Sequence, residues 1–362
     1  MDTLFSRTQI VFLLLLALGI SNHVLILPHL LQKAGRDAWL SVIIGYGVLV
    51  LWSMLLYRVL KSMRGQSLKS WLNGRGGAIS YGLIGGSVLL YFLLAGAIII
   101  YDTTKNVTIY FLPRTPSTIT ILSFVLLTYW AAQAGLKTLV YMAALLLPLV
   151  WLLGMGVAIF TMDSKDYGLL QPVLAEGWSA PMAGSMIAVG GSFDLLVLLL
   201  LQHRMNKPIH YAMLLVVITL LAGLILGPTV GAIAAFGPVQ AGNLRFPPFE
   251  QWRLVMIGHY ISHVDFLAAF QLMAGSVVRA GLCLHVLVEA LELRKPAMKQ
   301  AVLITVLFLM ALPALLEVSD ITIQSWLHQY YYKSSLIWGA VVTATLFAAS
   351  YVRGRREVKR DG

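Results

Sequence analysis

The sequence predicts an all-α, multi-pass membrane protein of about ten transmembrane helices, arranged as an inverted five-plus-five repeat with helices 1 and 6 unwound at mid-membrane. Three observations carry that prediction. The 362 residues are 59% hydrophobic and only 11% charged, with a mean hydropathy of +0.82, far from the balance of soluble domains. The apolar residues gather in ten stretches that can cross a bilayer. The first and sixth stretches, which open the two halves of the chain, are interrupted at mid-span by glycines and polar residues.

The ten stretches are approximately 10–31, 38–60, 79–101, 117–133, 139–160, 182–201, 210–236, 266–291, 301–316 and 335–351. An even number puts both termini on one side. Of the 26 Lys and Arg residues, seventeen fall on the segments that share the N-terminal side, eight on the other side, and Arg279 lies within a span. The positive-inside rule therefore predicts cytoplasmic termini. Five spans per half also means that a duplicated second half would be inserted upside down. The expected organisation is a single integral membrane domain over 1–362, with a first inverted repeat at 1–161, a second at 181–353, and a basic cytoplasmic tail at 354–362.

The first stretch holds Gly19, Ser21, Asn22 and His23 at its centre, where hydrocarbon penalises an unpaired polar group. A helix broken at that depth is tolerated only where its freed backbone is buried in protein or lines a cavity. Glycine is common in ordinary spans, and Ser or Asn can bond to a neighbouring helix. The pattern recurs, however, at the matching position of the second half, where Ile187, Ala188, Val189, Gly190, Gly191, Ser192, Phe193 and Asp194 precede a renewed apolar run. Two interrupted helices at corresponding positions point to a transporter-type binding site.

Other features exclude functions. The net charge of +11 is spread over short loops and the tail without a dense basic face, so anionic lipid, not nucleic acid, is the expected partner. Cys283, the single cysteine, allows no intrachain disulfide and sits in an apolar run. The first apolar segment is too long for the core of a cleavable signal peptide. There is no His-Glu-x-x-His, no P-loop and no nucleophile with a paired base, so no catalytic residue, metal site or cofactor is expected. Gly74, Arg75, Gly76 and Gly77 read as a turn, and the glycine pairs at 82/86 and 223/227/231 read as helix packing faces. The aromatic segment 246–261 reads as an outer element that shields a vestibule or lies in the membrane interface.

Gly19 through Leu25, Ile26, Leu27 and Pro28, followed by Ala34, Gly35, Arg36, Asp37, Ala38, Trp39, Leu40, Ser41 and Val42, resembles the signature of the endospore germination permeases. These are the B subunits of spore nutrient-germinant receptors, a branch of the amino acid-polyamine-organocation superfamily. The resemblance runs over most of the chain and is weakest near the C-terminus. The run from Ala34 to Trp39 is its most specific piece, and Arg245, Phe246 and Pro247 through Asp265 and Arg279 echo a second block. Two positions depart from the family pattern. Phe193 and Asp194 stand where relatives usually carry Gly-Glu, and His263 stands where an arginine is common. The resemblance implies a nutrient sensor in the inner membrane of a dormant spore. Such a subunit binds a small-molecule germinant, an amino acid or similar compound, and signals through A-type and C-type germinant receptor subunits.

An amino acid has two charged ends, and a broken helix can answer both. The expected ligand site sets a carboxylate against the backbone N–H groups of Gly19, Ile20, Ser21 and Asn22. Carbonyls near Leu18 and Val189 take the ammonium, and Gly19, Gly190 and Gly191 allow close approach to the backbone. Leu94, Ala97 and Met273 are assigned to the ligand's side-chain end by analogy of fold. Asp194 is open to three roles: contact with an ammonium, proton coupling, or an ion pair with Arg279. His23 is either packed or a proton relay, and Asp265 and His263 fall near the outer end of span eight. A receptor that does not pump and a proton-coupled amino acid transporter using Asp194 and His23 would need the same broken helices. A third possibility, a purely structural scaffold, would bind no ligand.

Overall fold

A computed structural model describes residues 4–256 and 264–352. His263, part of the 246–261 segment and the tail 354–362 lie outside the described residues. The chain is helical almost throughout. Its helices are α1 (Arg7–Ile20), α2 (Ile26–Ala34), α3 (Ala38–Met63), α4 (Leu68–Ser80), α5 (Gly86–Tyr110), α6 (Ser117–Gln133), α7 (Leu136–Phe160) and α8 (Ser179–Ser192). They continue as α9 (Val197–Leu201), α10 (Tyr211–Phe236), α11 (Pro238–Asn243), α12 (Pro247–Arg253), α13 (Phe266–Ala290), α14 (Pro296–Leu315), α15 (Asp320–Trp326) and α16 (Tyr332–Ala349).

The first crossing starts on a capping box: the Ser6 hydroxyl accepts from the Gln9 amide at 3.2 Å, and the Gln9 side chain accepts from the Ser6 amide at 2.8 Å. It runs through α1, a π turn at Ser21–Leu25, and α2. The chain then reverses at Gly35, whose φ of 52° favours glycine, and returns as α3. Seven apolar stretches are long enough to cross a membrane, and the first, Arg7–Met63, contains this reversal and so crosses twice. With α6 and the joined α15 and α16, the described residues make ten crossings.

Span four matches the sequence boundaries, Ser117–Gln133. Most of α4 precedes span three: the turn expected at 74–77 is a break at Gly77 (φ 72°, ψ −170°), and the crossing resumes at Ala78, beside its expected start. The tenth begins at Asp320, well before the apolar run at 335, and passes through a π turn at Leu327–Tyr331. At the first and sixth crossings the unwinding takes the form of altered helical pitch. Ser21 keeps helical angles (φ −60°, ψ −45°) beside its π turn, and the sixth crossing tightens into a 3₁₀ turn at Phe193–Leu196.

These two crossings form the centre of the bundle. Residues 13–20 of α1 are all buried, and the apolar window of Ser179–Arg204 is 89% buried, against 17% for α7 and 28% for α14 on the outside. The packing role given to the glycine pairs needs correction: Gly82, Gly86, Gly223 and Gly227 face open space, and only Gly231 packs, against the Gln251 side chain. The segment from Phe246 to Trp252 is tucked into the bundle, with Phe246 and Phe249 ringed by Tyr110 and Phe111.

Candidate functional site

A π turn displaces carbonyls from the regular ladder, and side chains of other elements can reach them. Along the first crossing, the Ala17 carbonyl accepts from Arg279 Nη1 at 3.4 Å and the Leu25 carbonyl accepts from the Tyr332 hydroxyl at 3.0 Å. His23 Nδ1 lies 2.6 Å from the Gly19 carbonyl, which can only accept, so this nitrogen carries the proton. Asn22 donates to the Leu221 carbonyl at 3.4 Å. His23 is thus a packed, hydrogen-bonded side chain.

On the sixth crossing, Ser335 donates to the Gly190 carbonyl at 2.7 Å. A methyl group on Gly190 would run into the Tyr332 backbone carbonyl, and one on Gly191 would meet the Ile26 side chain and, at 3.3 Å, the Tyr332 ring. The sixth and tenth crossings therefore meet here at backbone distance, and the first joins them through the Ile26 side chain. The 3₁₀ turn that follows fixes Phe193 edge-on against Trp52, ring centroids 5.0 Å apart, and turns Asp194 into the centre.

There Asp194 Oδ2 lies 2.7 Å from Arg279 Nη1, with the two residues only 2% and 3% exposed. Tyr91 donates its hydroxyl to Asp194 Oδ1 at 2.9 Å and stacks on Trp338 with centroids 4.4 Å apart. A buried pair of this kind must be hydrogen-bonded as well as neutralised to offset its desolvation.

The structure brings together most of the residues singled out in the sequence. Ser21, Asn22, Val189, Gly190, Gly191 and Asp194 are buried around this pair of interruptions. Ile20 packs on Gly275, whose added methyl would lie 3.0 Å from the Ile20 Cβ. Ala97 and Met273 are half-buried on α5 and α13. Leu94, 39% exposed, is turned to the surroundings and is not gathered with the others. The backbone groups differ from expectation: Gly19 and Ile20 belong to α1, and the Ser21 N–H bonds to the Leu18 carbonyl, so these donors are engaged within the helix. Donors from Arg279 and Ser335 likewise occupy the Ala17 and Gly190 carbonyls.

Two ionic clusters escaped sequence analysis because their partners are far apart in the chain. At the end of the bundle opposite the N-terminus, Arg245 bonds Asp102 at 2.5 Å and Asp320 at 2.9 Å, and Gln324 donates to Asp320 at 3.4 Å. Burial opposes the Arg245 charge, but the two carboxylates outweigh it and hold the guanidinium above its ordinary pKa. Asp102, an acid just past an apolar run, was the available signal. At the N-terminal end, Glu289 bonds Arg204, His285 at 2.8 Å and His203 at 3.4 Å. A cavity of about 370 Å³ opens beside it, lined in part by Lys69, Tyr81 and Glu292. Residue 5 is bound to the loop after the sixth crossing: its N–H donates to the Arg204 carbonyl at 2.9 Å and its carbonyl accepts from the Asn206 N–H at 3.0 Å.

Ten crossings with the two interrupted ones at the centre define an integral membrane protein of transporter fold. The solved structure of Mhp1, a nucleobase-cation-symport-1 family transporter in a closed conformation with bromovinylhydantoin bound, matches 96% of this chain and 78% of its own, with a TM-score of 0.59 at 12% identity. That likeness concerns the fold alone. The chain belongs to the spore germination protein family, whose model matches residues 5–321. Spore germination protein XB of Bacillus anthracis is 35% identical over 86% of this chain and 88% of its own length. Spore germination protein KB of Bacillus subtilis (strain 168) is 22% identical over 76% of this chain and 74% of its own.

Proposed function

We propose that this chain is the B-type subunit of a nutrient-germinant receptor. It binds a small germinant, an amino acid, at mid-membrane between the first and sixth crossings, and passes the event to A-type and C-type subunits. It resides in the inner membrane of the spore with both termini cytoplasmic, its repeats spanning 1–161 and 181–353 and its basic tail, 354–362, beside anionic lipid. Family membership supports the germination role. The observation that carries the site is the loss of α geometry at mid-span in both central crossings, beside the buried Asp194 and Arg279. In this reading Gly19, Ile20, Ser21, Asn22, Val189, Gly190, Gly191 and Asp194 surround the ligand, with Ala97 and Met273 toward its side chain.

The test is a thermal-shift screen of the full-length protein in nanodiscs against L-amino acids, sugars and nucleosides. A ligand at a hundredfold excess over Kd stabilises the folded state by about 2.7 kcal/mol. The expected result is a shift with an amino acid that is lost in a folded Gly19→Leu variant, whose larger side chain must displace Leu224 and crowd the interruption. A shift retained in that variant overturns the site, and no shift with any compound overturns the receptor reading. A proton-coupled amino acid transporter is the second reading, favoured by the transporter fold and the buried carboxylate of Asp194. Proton-dependent uptake into liposomes would select it.

A further inference from the structure

The central ion pair is incompletely bonded. Arg279 has five N–H donors. Its Nη1 serves Asp194 at 2.7 Å and the Ala17 carbonyl at 3.4 Å, while its buried Nε–H meets no acceptor. On the acid, Oδ1 takes the Tyr91 hydroxyl and Oδ2 faces Nη1, and a carboxylate oxygen has room for a second donor. An unmet donor on a cation thus stands beside an under-used acceptor on an anion, both almost wholly buried. Native proteins rarely leave such groups without a partner.

We propose that this pair is the receptor for the charged end of an α-amino acid, its carboxylate seated on the Nε edge of Arg279 and its ammonium on Asp194 Oδ2. The proposal rests on the amino acid reading above and names the side chains that recognise the ligand. Four charges of alternating sign close a ring, and the buried site keeps its net charge. A lone anion would draw Arg279 from Asp194 and leave a carboxylate uncompensated; a lone cation would do the reverse. A sugar or nucleoside brings neither charge. The planar fork of arginine suits a carboxylate in two-point contact, which a lysine ammonium cannot reproduce. Of the four residues one turn either side of Arg279 on α13, Gly275, Ser276 and Cys283 are small and only Leu282 is bulky. The backbone N–H groups of Gly19, Ile20 and Ser21 do not compete for the carboxylate, because they stay within the helix.

The test uses the full chain in nanodiscs and each of the twenty L-α-amino acids. For the amino acid that stabilises it, the α-amide removes the carboxylate and the N-acetyl derivative removes the ammonium. Each modification is expected to weaken binding on the order of tenfold or more, the usual weight of a hydrogen bond to a charged group. Arg279→Lys keeps the charge but lacks the fork, so it should weaken the amino acid and spare the α-amide, a discrimination that a merely structural role would not produce. Asp194→Glu is the second variant, and it should alter the preference for the free amine over its N-acetyl form. Equal affinity of amino acid and α-amide for the parent overturns this proposal while leaving the receptor reading intact. Stabilisation by none of the twenty overturns the amino acid reading and this proposal together.

Discussion

The two central crossings leave α geometry in opposite directions. The first widens into a π turn at Ser21–Leu25, and the sixth tightens into a 3₁₀ turn at Phe193–Leu196. The wide turn turns carbonyls sideways, where side chains from α13 and α16 meet them; the tight turn brings one carboxylate to the centre. Their glycines differ too. A methyl on Gly19 would meet only the tip of the Leu224 side chain, at 3.0 Å, whereas one on Gly190 would meet the backbone of α16. The first crossing is therefore held by movable side chains, and the sixth is locked backbone against backbone.

The comparison can be broken or sharpened by substitution. The largest effect is expected at Arg279, which reaches both crossings from α13: Arg279→Gln leaves Asp194 buried without its counter-ion and should cost about 3–5 kcal/mol in denaturant unfolding. Asp194→Asn combined with Arg279→Gln should recover much of that loss, and a double variant no better than the single would show that the charges do not act as a pair. Next comes Gly190→Ala, which forces α8 off α16 and should destabilise by about 1–3 kcal/mol. Calorimetry showing no change in melting temperature would refute the locked sixth crossing. Tyr332→Phe removes the donor to the Leu25 carbonyl and should cost about 1 kcal/mol, seen as faster amide exchange around the π turn. The smallest effect is expected for Gly19→Ala, where the helix-forming gain of alanine offsets pressure on Leu224 and leaves stability within about 1 kcal/mol of the parent. A larger loss there would make both crossings equally locked.

Much of the fold was legible because hydrocarbon leaves few alternatives: ten apolar runs become ten crossings, and Ser117–Gln133 keeps its sequence limits. The interruptions were legible as well, since Asn22 and Asp194 cannot sit unpaired in lipid. Their form was not. Glycine permits an extended break and a helix alike, and contacts such as Gly190 against Tyr332 decide between them. The start of the tenth crossing was hidden for a related reason. Asp320, Gln324 and His328 make its first turns polar, and they are helical in company with Asp102 and Arg245, partners remote in sequence. Leu94 shows the reverse error: analogy of fold placed it by sequence position, and the rotation of α5 turned it outward.

The bridge at Phe5 carries a mechanical consequence. Backbone bonds to Arg204 and Asn206, with Arg7 Nε on the Pro208 carbonyl at 2.7 Å, fasten the start of the first crossing to the strap that leaves the sixth. A fastening made chiefly of peptide groups is largely indifferent to salt and survives most side-chain changes. It yields instead to traction: a neighbouring protein that grips residues 202–208 holds the handle of both central helices at once.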